Sequence, residues 1–225
     1  MNAWGPSTRQ LRERIRNARA VGAAACILHA YRMHCYVTGD LARAAAVAAA
    51  VASEDIFVQL RAPLDHDVSE PLARELRAIT ARAGARFIVN RRLALARAVC
   101  ADGLHVAPND VARVREEWPG AWISAPCHDD GDVTVAIAAG ADAIFVSPIF
   151  STPGKGRARG GEALASARAL GSAAGRVVSI LALGGITLDR VRSCLDHGAD
   201  GIAAIRLFET SSDPRTVASA LKALT

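Results

Sequence analysis

Apolar residues along this chain fall into two alternating kinds of run. Short solid runs bounded by Gly, Asp or Pro predict strands over 34–38, 56–60, 86–90, 103–106, 122–124, 143–146, 178–182 and 201–205. Between them, apolar positions recur at helical spacing over 41–52, 70–83, 93–100, 111–118, 133–139, 162–174, 188–197 and 214–224. Solid strands joined by helices imply a parallel sheet covered on both faces. Eight such units close into a single α/β domain, a (β/α)8 TIM barrel; a doubly wound open sheet is the alternative. Residues 8–30 predict an extra N-terminal helix with Ser7 as its cap, giving an extension over 1–30 and a barrel over 31–225. Gly84-Ala85, Ala101-Asp102-Gly103, Gly140-Ala141-Asp142 and Gly198-Ala199-Asp200-Gly201 each separate a helix from the next strand. They read as left-handed helix caps on the structural face of the barrel.

Composition narrows the class. The chain has 225 residues, 51% of them hydrophobic and only 4% aromatic, which suits buried strands and packed helices better than a base-stacking surface. No apolar run reaches the ~18 residues of a membrane span, and the Arg-rich start lacks the order of a secretory signal. The net charge of +5 comes from arginines scattered through most of the helices, as in a chain biased towards Ala and Arg, which argues against nucleic acid; part of it can serve an anionic substrate. The five cysteines, Cys26, Cys35, Cys100, Cys127 and Cys194, are widely spaced with no CxxC, which fits a reduced cytoplasm.

In a barrel of this kind the site is built from the loops after the strands, and phosphate binds after strands seven and eight. Gly184 and Gly185 follow the seventh strand, where backbone N–H groups can approach an anion; Ile205 and Arg206 end the eighth. The longest connection, 147–161, carries Thr152, Lys155, Arg157 and Arg159 and reads as a cationic lid. Other strand ends supply Gln59, Arg61, Asn90, Arg91 and Ser124, groups that can fix a polar ring or an anion. His128 sits in the loop after the fifth strand, where an imidazole can act as acid or base near neutral pH. Cys127 is a weaker candidate nucleophile. His105 reads as a packed, hydrogen-bonded histidine, and His66 as a loop residue of little signal.

The segments Val58-Gln59-Leu60-Arg61, Ile88-Val89-Asn90-Arg91-Arg92, Ala101-Asp102-Gly103-Leu104-His105, Pro148-Ile149-Phe150-Ser151-Thr152-Pro153-Gly154-Lys155, Leu183-Gly184-Gly185-Ile186 and Gly198-Ala199-Asp200-Gly201-Ile202 occur in the order of the thiamine phosphate synthase/TenI superfamily, which the chain resembles from about Tyr36 to Phe208. The resemblance implies a barrel enzyme of thiamine biosynthesis. A synthase joins a pyrimidine diphosphate to a thiazole phosphate with Mg2+; a TenI-like enzyme aromatises the thiazole phosphate by proton transfer. Carried over, Gln59, Arg61, Asn90, Thr152 and Lys155 hold the pyrimidine and diphosphate, and Gly184, Gly185 and Ile205 the thiazole phosphate. Asp110 falls at a magnesium-ligand position, and His128 at the TenI acid/base. The chain departs from the synthase pattern with Arg91 for a metal-binding Asp, Pro63 for a Lys, Gly154 for a Thr and Ala107-Pro108 for Gly-Gln.

These departures favour a TenI-like, metal-independent tautomerase. A divergent synthase is the alternative, then a non-catalytic binder of a thiamine-related phosphate or a barrel for another phosphorylated heterocycle. No cofactor is expected; Mg2+ enters only under the synthase reading, with Asp110 a poor site beside Arg91. The expected partner is a small phosphorylated heterocycle, not nucleic acid or a membrane, with a homo-oligomer left open.

Overall fold

A computed structural model describes residues 33–61, 70–152, 154 and 156–224. The helix expected over 8–30, and Pro63, His66 and Lys155, lie outside the described residues. The elements run β1 (His34–Val37), α1 (Ala44–Val51), β2 (Ile56–Leu60), α2 (Glu70–Arg82), β3 (Phe87–Asn90), α3 (Leu93–Ala98), β4 (Gly103–His105) and a 3-10 turn (Pro108–Asp110). They continue α4 (Val111–Glu117), β5 (Trp122–Cys127), α5 (Asp130–Ala138), β6 (Ala143–Val146), α6 (Glu162–Ala173), β7 (Ser179–Leu183), α7 (Leu188–Asp196), β8 (Gly201–Ala204), α8 (Arg206–Glu209) and α9 (Pro214–Ala223).

The strands form a closed parallel barrel in sequence order, so the open-sheet alternative is set aside. Closure is made by β8 against β1, with Cys35 opposite Ala203 and Tyr36 opposite Ala204. Alternation along each strand divides the core. On β2, Ile56, Val58 and Leu60 pack outward under the helices, while Phe57 packs inward with Cys35, Val37, Ile88, Trp122, Phe145 and Leu181. Phe57 meets Trp122 and Phe145 edge to face, at 5.2 and 6.4 Å between centroids. These rings fill the barrel below its mouth. Among the described residues no helix is long and apolar enough to cross a membrane.

Six strands differ from the pattern-based expectation at their ends, β1, β3 and β4 by a single residue each. β5 runs three residues past Ser124, pairing with β6 through Cys127 opposite Val146. Pro126 lies inside it, and a proline, lacking an N–H, signals a strand end in sequence. β7 is shifted one residue along, and β8 stops at Ala204, so that Ile205 caps α8.

The turns before the even strands share one device. Asp102, Asp142 and Asp200 each accept the backbone N–H of the preceding strand through Oδ2: from Phe87 at 2.8 Å, Ile123 at 2.9 Å and Ile180 at 2.8 Å. Each also pairs with an arginine of a helix packed alongside: Arg77 at 3.2 Å, Arg115 at 2.6 Å and Arg168 at 2.6 Å. Arg115 further donates to the carbonyls of Ala121 and Gly140, and Arg168 to that of Gly198. The helix ends above them close as expected, with Gly84, Gly140 and Gly198 left-handed. At the end of α3 no glycine is available, and Cys100 takes that conformation at φ 52°.

Asp142→Ala strips an acceptor from the Ile123 N–H and leaves Arg115 without its carboxylate. Urea denaturation is expected to show a loss of about 2–4 kcal/mol. A loss below about 0.5 kcal/mol would show that the clasp is ornamental.

Candidate functional site

A cleft of about 1220 Å³ opens at the C-terminal ends of the strands. Its described lining includes Gln59, Arg61, Asn90, Arg91, His105, His128, Thr152, Gly184, Gly185, Ile205 and Arg206, so most residues expected at the site do converge there. Arg157 and Arg159 of the long β6–α6 connection line it too.

Each wall has a local cause. At β2 the Thr38 hydroxyl, fully buried, donates to the Arg61 carbonyl at 2.9 Å and accepts its N–H at 2.8 Å, fixing the main chain of Arg61. At β3, Arg91 is left-handed, φ 62°, in a three-residue turn closed by Arg92 N–H to Asn90 O at 2.8 Å. Its own N–H donates to the His105 carbonyl at 2.9 Å. An arginine rarely adopts this conformation, and such strained turns concentrate at functional positions. At β7, Gly184 and Gly185 have φ 99° and 65°. A Cβ on Gly184 would lie 2.9 Å from Pro148 Cα, and one on Gly185 2.8 Å from Phe150 Cβ. The double-glycine turn is therefore required by packing as well as by backbone angle. Arg190 donates to the Gly185 carbonyl at 2.8 Å and lies over the Phe150 ring at 4.8 Å, bracing that turn from α7.

The floor is polar but uncharged. His105 Nδ1 lies 2.8 Å from Ser124 Oγ, and the ring stacks at 4.7 Å on Phe145. Burial first, then the charges of Arg91, Arg61 and His128, push the His105 pKa down to about 3, so it is neutral at physiological pH. Gln59, only 2% exposed, has an Oε1 with no hydrogen-bond partner among the described residues. His128 follows β5, with its N–H on Asp132 and Nδ1 3.2 Å from Ser147 Oγ.

Several expectations need correction. Ser124 does not line the cleft. Because β5 continues past it, Ser124 is fully buried beneath the mouth and holds His105. Cys127 is buried, and burial raises its thiol pKa to about 12, which removes it as a nucleophile. Asp110 also lies off the cleft, on the surface, paired with Arg113 at 3.0 Å. The described lining contains the arginines 61, 91, 157, 159, 190 and 206, and no Asp or Glu. Nor is there a group of three or more His, Cys, Asp or Glu side chains among the described residues that could hold a metal. This donor set does not fit Mg2+, which requires oxygen ligands. Ser147 and Arg190 escaped the sequence reading. Ser147 lay in a loop noticed for its glycines and bases, and Arg190 one turn into a helix that showed only its period.

Fold and cleft together define a (β/α)8-barrel enzyme with its site at the C-terminal mouth. Residues 33–208 match the family described as thiamine monophosphate synthase. The chain belongs to that family, within the thiamine phosphate synthase/TenI superfamily. It is 36% identical over 162 residues to a thiamine-phosphate synthase of Geobacillus thermodenitrificans, covering 71% of this chain and 73% of the relative. It is also 36% identical over 154 residues to one of Chloroflexus aurantiacus, covering 68% and 70%. Among solved structures, thiamine phosphate pyrophosphorylase of Pyrococcus furiosus superposes with a TM-score of 0.69 at 23% identity, covering 88% of this chain and 96% of that one. A 3-hexulose-6-phosphate synthase superposes at 0.65 and 15% identity, over 86% and 99%, a likeness of fold alone.

Two outcomes are expected. Gly185→Ala should lower the melting free energy by about 1–3 kcal/mol through strain and overpacking, and should weaken orthophosphate binding measured by calorimetry. His105 has a folded-state pKa below its unfolded value of 6.5, so the unfolded chain binds the extra proton between pH 6.5 and about 3. Its contribution is fully present above pH 6.5 and is lost as pH falls, by about 1.4 kcal/mol per unit. The stability difference between wild type and His105→Gln should therefore shrink from pH 7 to pH 5; a constant difference contradicts a neutral buried His105.

Proposed function

We propose that this chain couples a pyrimidine diphosphate to a thiazole phosphate, giving thiamine phosphate and free diphosphate. The carbon–oxygen bond to the diphosphate breaks, its electron pair leaving with the diphosphate. The thiazole nitrogen forms the new bond to that carbon. The observation that carries this reading is one cleft with cationic groups at two sides: Arg61 and Arg91 after β2 and β3, and Gly184, Gly185 and Arg206 around β7 and β8. A single phosphorylated substrate needs one of these; two anionic substrates use both. The names of the curated relatives favour coupling over the proton transfer expected from sequence.

In this reading Gly184, Gly185, Ile205 and Arg206 receive the thiazole phosphate. Gln59 and Asn90 orient the pyrimidine. Arg61, Arg91 and Thr152 face its diphosphate, joined by Lys155 of the lid. Ser124 acts beneath them as a positioning residue, holding the His105 ring. Guanidinium groups already in place where charge develops on the leaving group lower its departure barrier. No step is assigned to a divalent cation. Four cysteines, Cys35, Cys100, Cys127 and Cys194, are free thiols, which supports a cytoplasmic setting.

The His128–Ser147 pair at the rim supports a second reading, TenI-like acid/base transfer on the thiazole phosphate alone. One assay separates the readings. With both substrates, thiamine phosphate should form, and His128→Asn should retain it within about tenfold. If instead the protein only converts thiazole tautomers, His128→Asn should lose about 10²–10⁴-fold. Saturable substrate binding with neither product sinks both and leaves a binding protein.

A further inference from the structure

The positive charge of the mouth stands at two places rather than one. β3 is four positions and β2 three positions from β7 in the closed eight-strand order, so Arg91 and Arg61 arise on the far side of the barrel from the double-glycine turn. We propose that Arg61 and Arg91, in a cleft also lined by Arg157 and Arg159 of the β6–α6 connection, form a diphosphate site that works without a divalent cation. The identity of the anion as a substrate's leaving group rests on the coupling reading; the site itself does not.

The donor set is the first argument. A diphosphate held through Mg2+ needs protein carboxylates or other oxygens to hold the ion beside it. The described lining of this cleft offers no carboxylate. Asp110, where the family resemblance places a metal ligand, is about half exposed at its side chain and tied to Arg113 outside the cleft. Arg91 stands where the resemblance places another such ligand, and there its charge repels a cation and attracts the anion directly.

Preorganisation is the second. The main chain of Arg61 is clamped by both hydrogen bonds of buried Thr38. That of Arg91 is held by the His105 carbonyl and by the tight turn to Asn90. A fixed backbone sets where each guanidinium can reach, and its planar fork can grip phosphate oxygens two at a time. Among the described residues neither Arg61, Arg91 nor Arg157 has a carboxylate within ion-pair distance. Arg159 is paired with Asp130 through Nη2, and its buried Nη1 has no partner among the described residues. Both Arg91 and Arg61 act on the buried His105 ring, so their fields overlap at the cleft floor.

The test is titration calorimetry of the intact protein with inorganic diphosphate, first in EDTA and then in Mg2+. Saturable binding is expected in EDTA, with no tightening on adding Mg2+. Arg91→Asn keeps a residue that tolerates the left-handed backbone, and should weaken binding about tenfold or more. Arg61→Gln should do the same, with melting curves confirming that both variants fold. Asp110→Asn should bind as the wild type does, with or without Mg2+. Binding that appears only with Mg2+, a loss in Asp110→Asn, or undiminished binding by Arg91→Asn and Arg61→Gln would overturn the proposal. If diphosphate binds in EDTA as described but no thiamine phosphate forms, only the coupling reading fails. If coupling proceeds but diphosphate binding needs Mg2+, only this proposal fails.

Discussion

The carboxylate of Asp142 does three things at once. It accepts the Ile123 N–H near the start of β5, it neutralises Arg115 of α4, and through that arginine it ties down the carbonyls of Ala121 and Gly140. Asp102 and Asp200 make the same N–H and arginine contacts before β4 and β8. The closed barrel therefore has a seam stitched at every second strand on the face away from the cleft. Strand ends carry backbone groups that the sheet cannot satisfy, and a buried orphan costs more than a formed bond contributes. Closing those ends with charge-assisted bonds leaves the opposite face free to carry loops chosen for other reasons.

The two faces treat arginine in opposite ways. Below, Arg77, Arg115 and Arg168 each have a carboxylate, and their charge is spent on structure. Above, Arg61, Arg91, Arg157 and Arg206 share a cleft whose described lining has none. Like charges gathered in a concave space raise the local potential and repel one another. That arrangement is costly for a protein alone and favourable once an anion enters.

Much of this was legible in sequence. The solid strands and the helical period gave the eightfold alternation, since buried parallel strands leave a continuous apolar signature. Gly184-Gly185 and Arg206 could be placed because the fold itself says where phosphate contacts arise. What failed depended on a strand end. Pro126 hid the last turn of β5, and Ser124 was lifted to a mouth that it lies beneath. The aspartate clasps were seen only as turns, because their partners are 15 to 32 residues away in the chain and no local pattern links them. Asp110 was a carried-over role that geometry withdrew: its neighbour Arg113, one helical turn on, takes the carboxylate to the surface.

Between the two cationic sides the floor is neutral by construction. Burial and the nearby guanidinium groups keep His105 uncharged, Ser124 fixes one of its ring nitrogens, and Phe145 backs it with an aromatic face. Gln59 Oε1 sits at the same depth without a partner in the described protein, and a buried amide oxygen is costly unless something donates to it. Under the coupling proposal, a planar heterocycle bearing an N–H donor would meet both conditions, its ring covering the floor and its donor satisfying Gln59. Under that proposal, cationic ends with a neutral, hydrogen-bonding middle are what two phosphorylated rings would require to meet, because charge would then fix their outer ends while the reacting atoms lay where no fixed charge opposed the new bond.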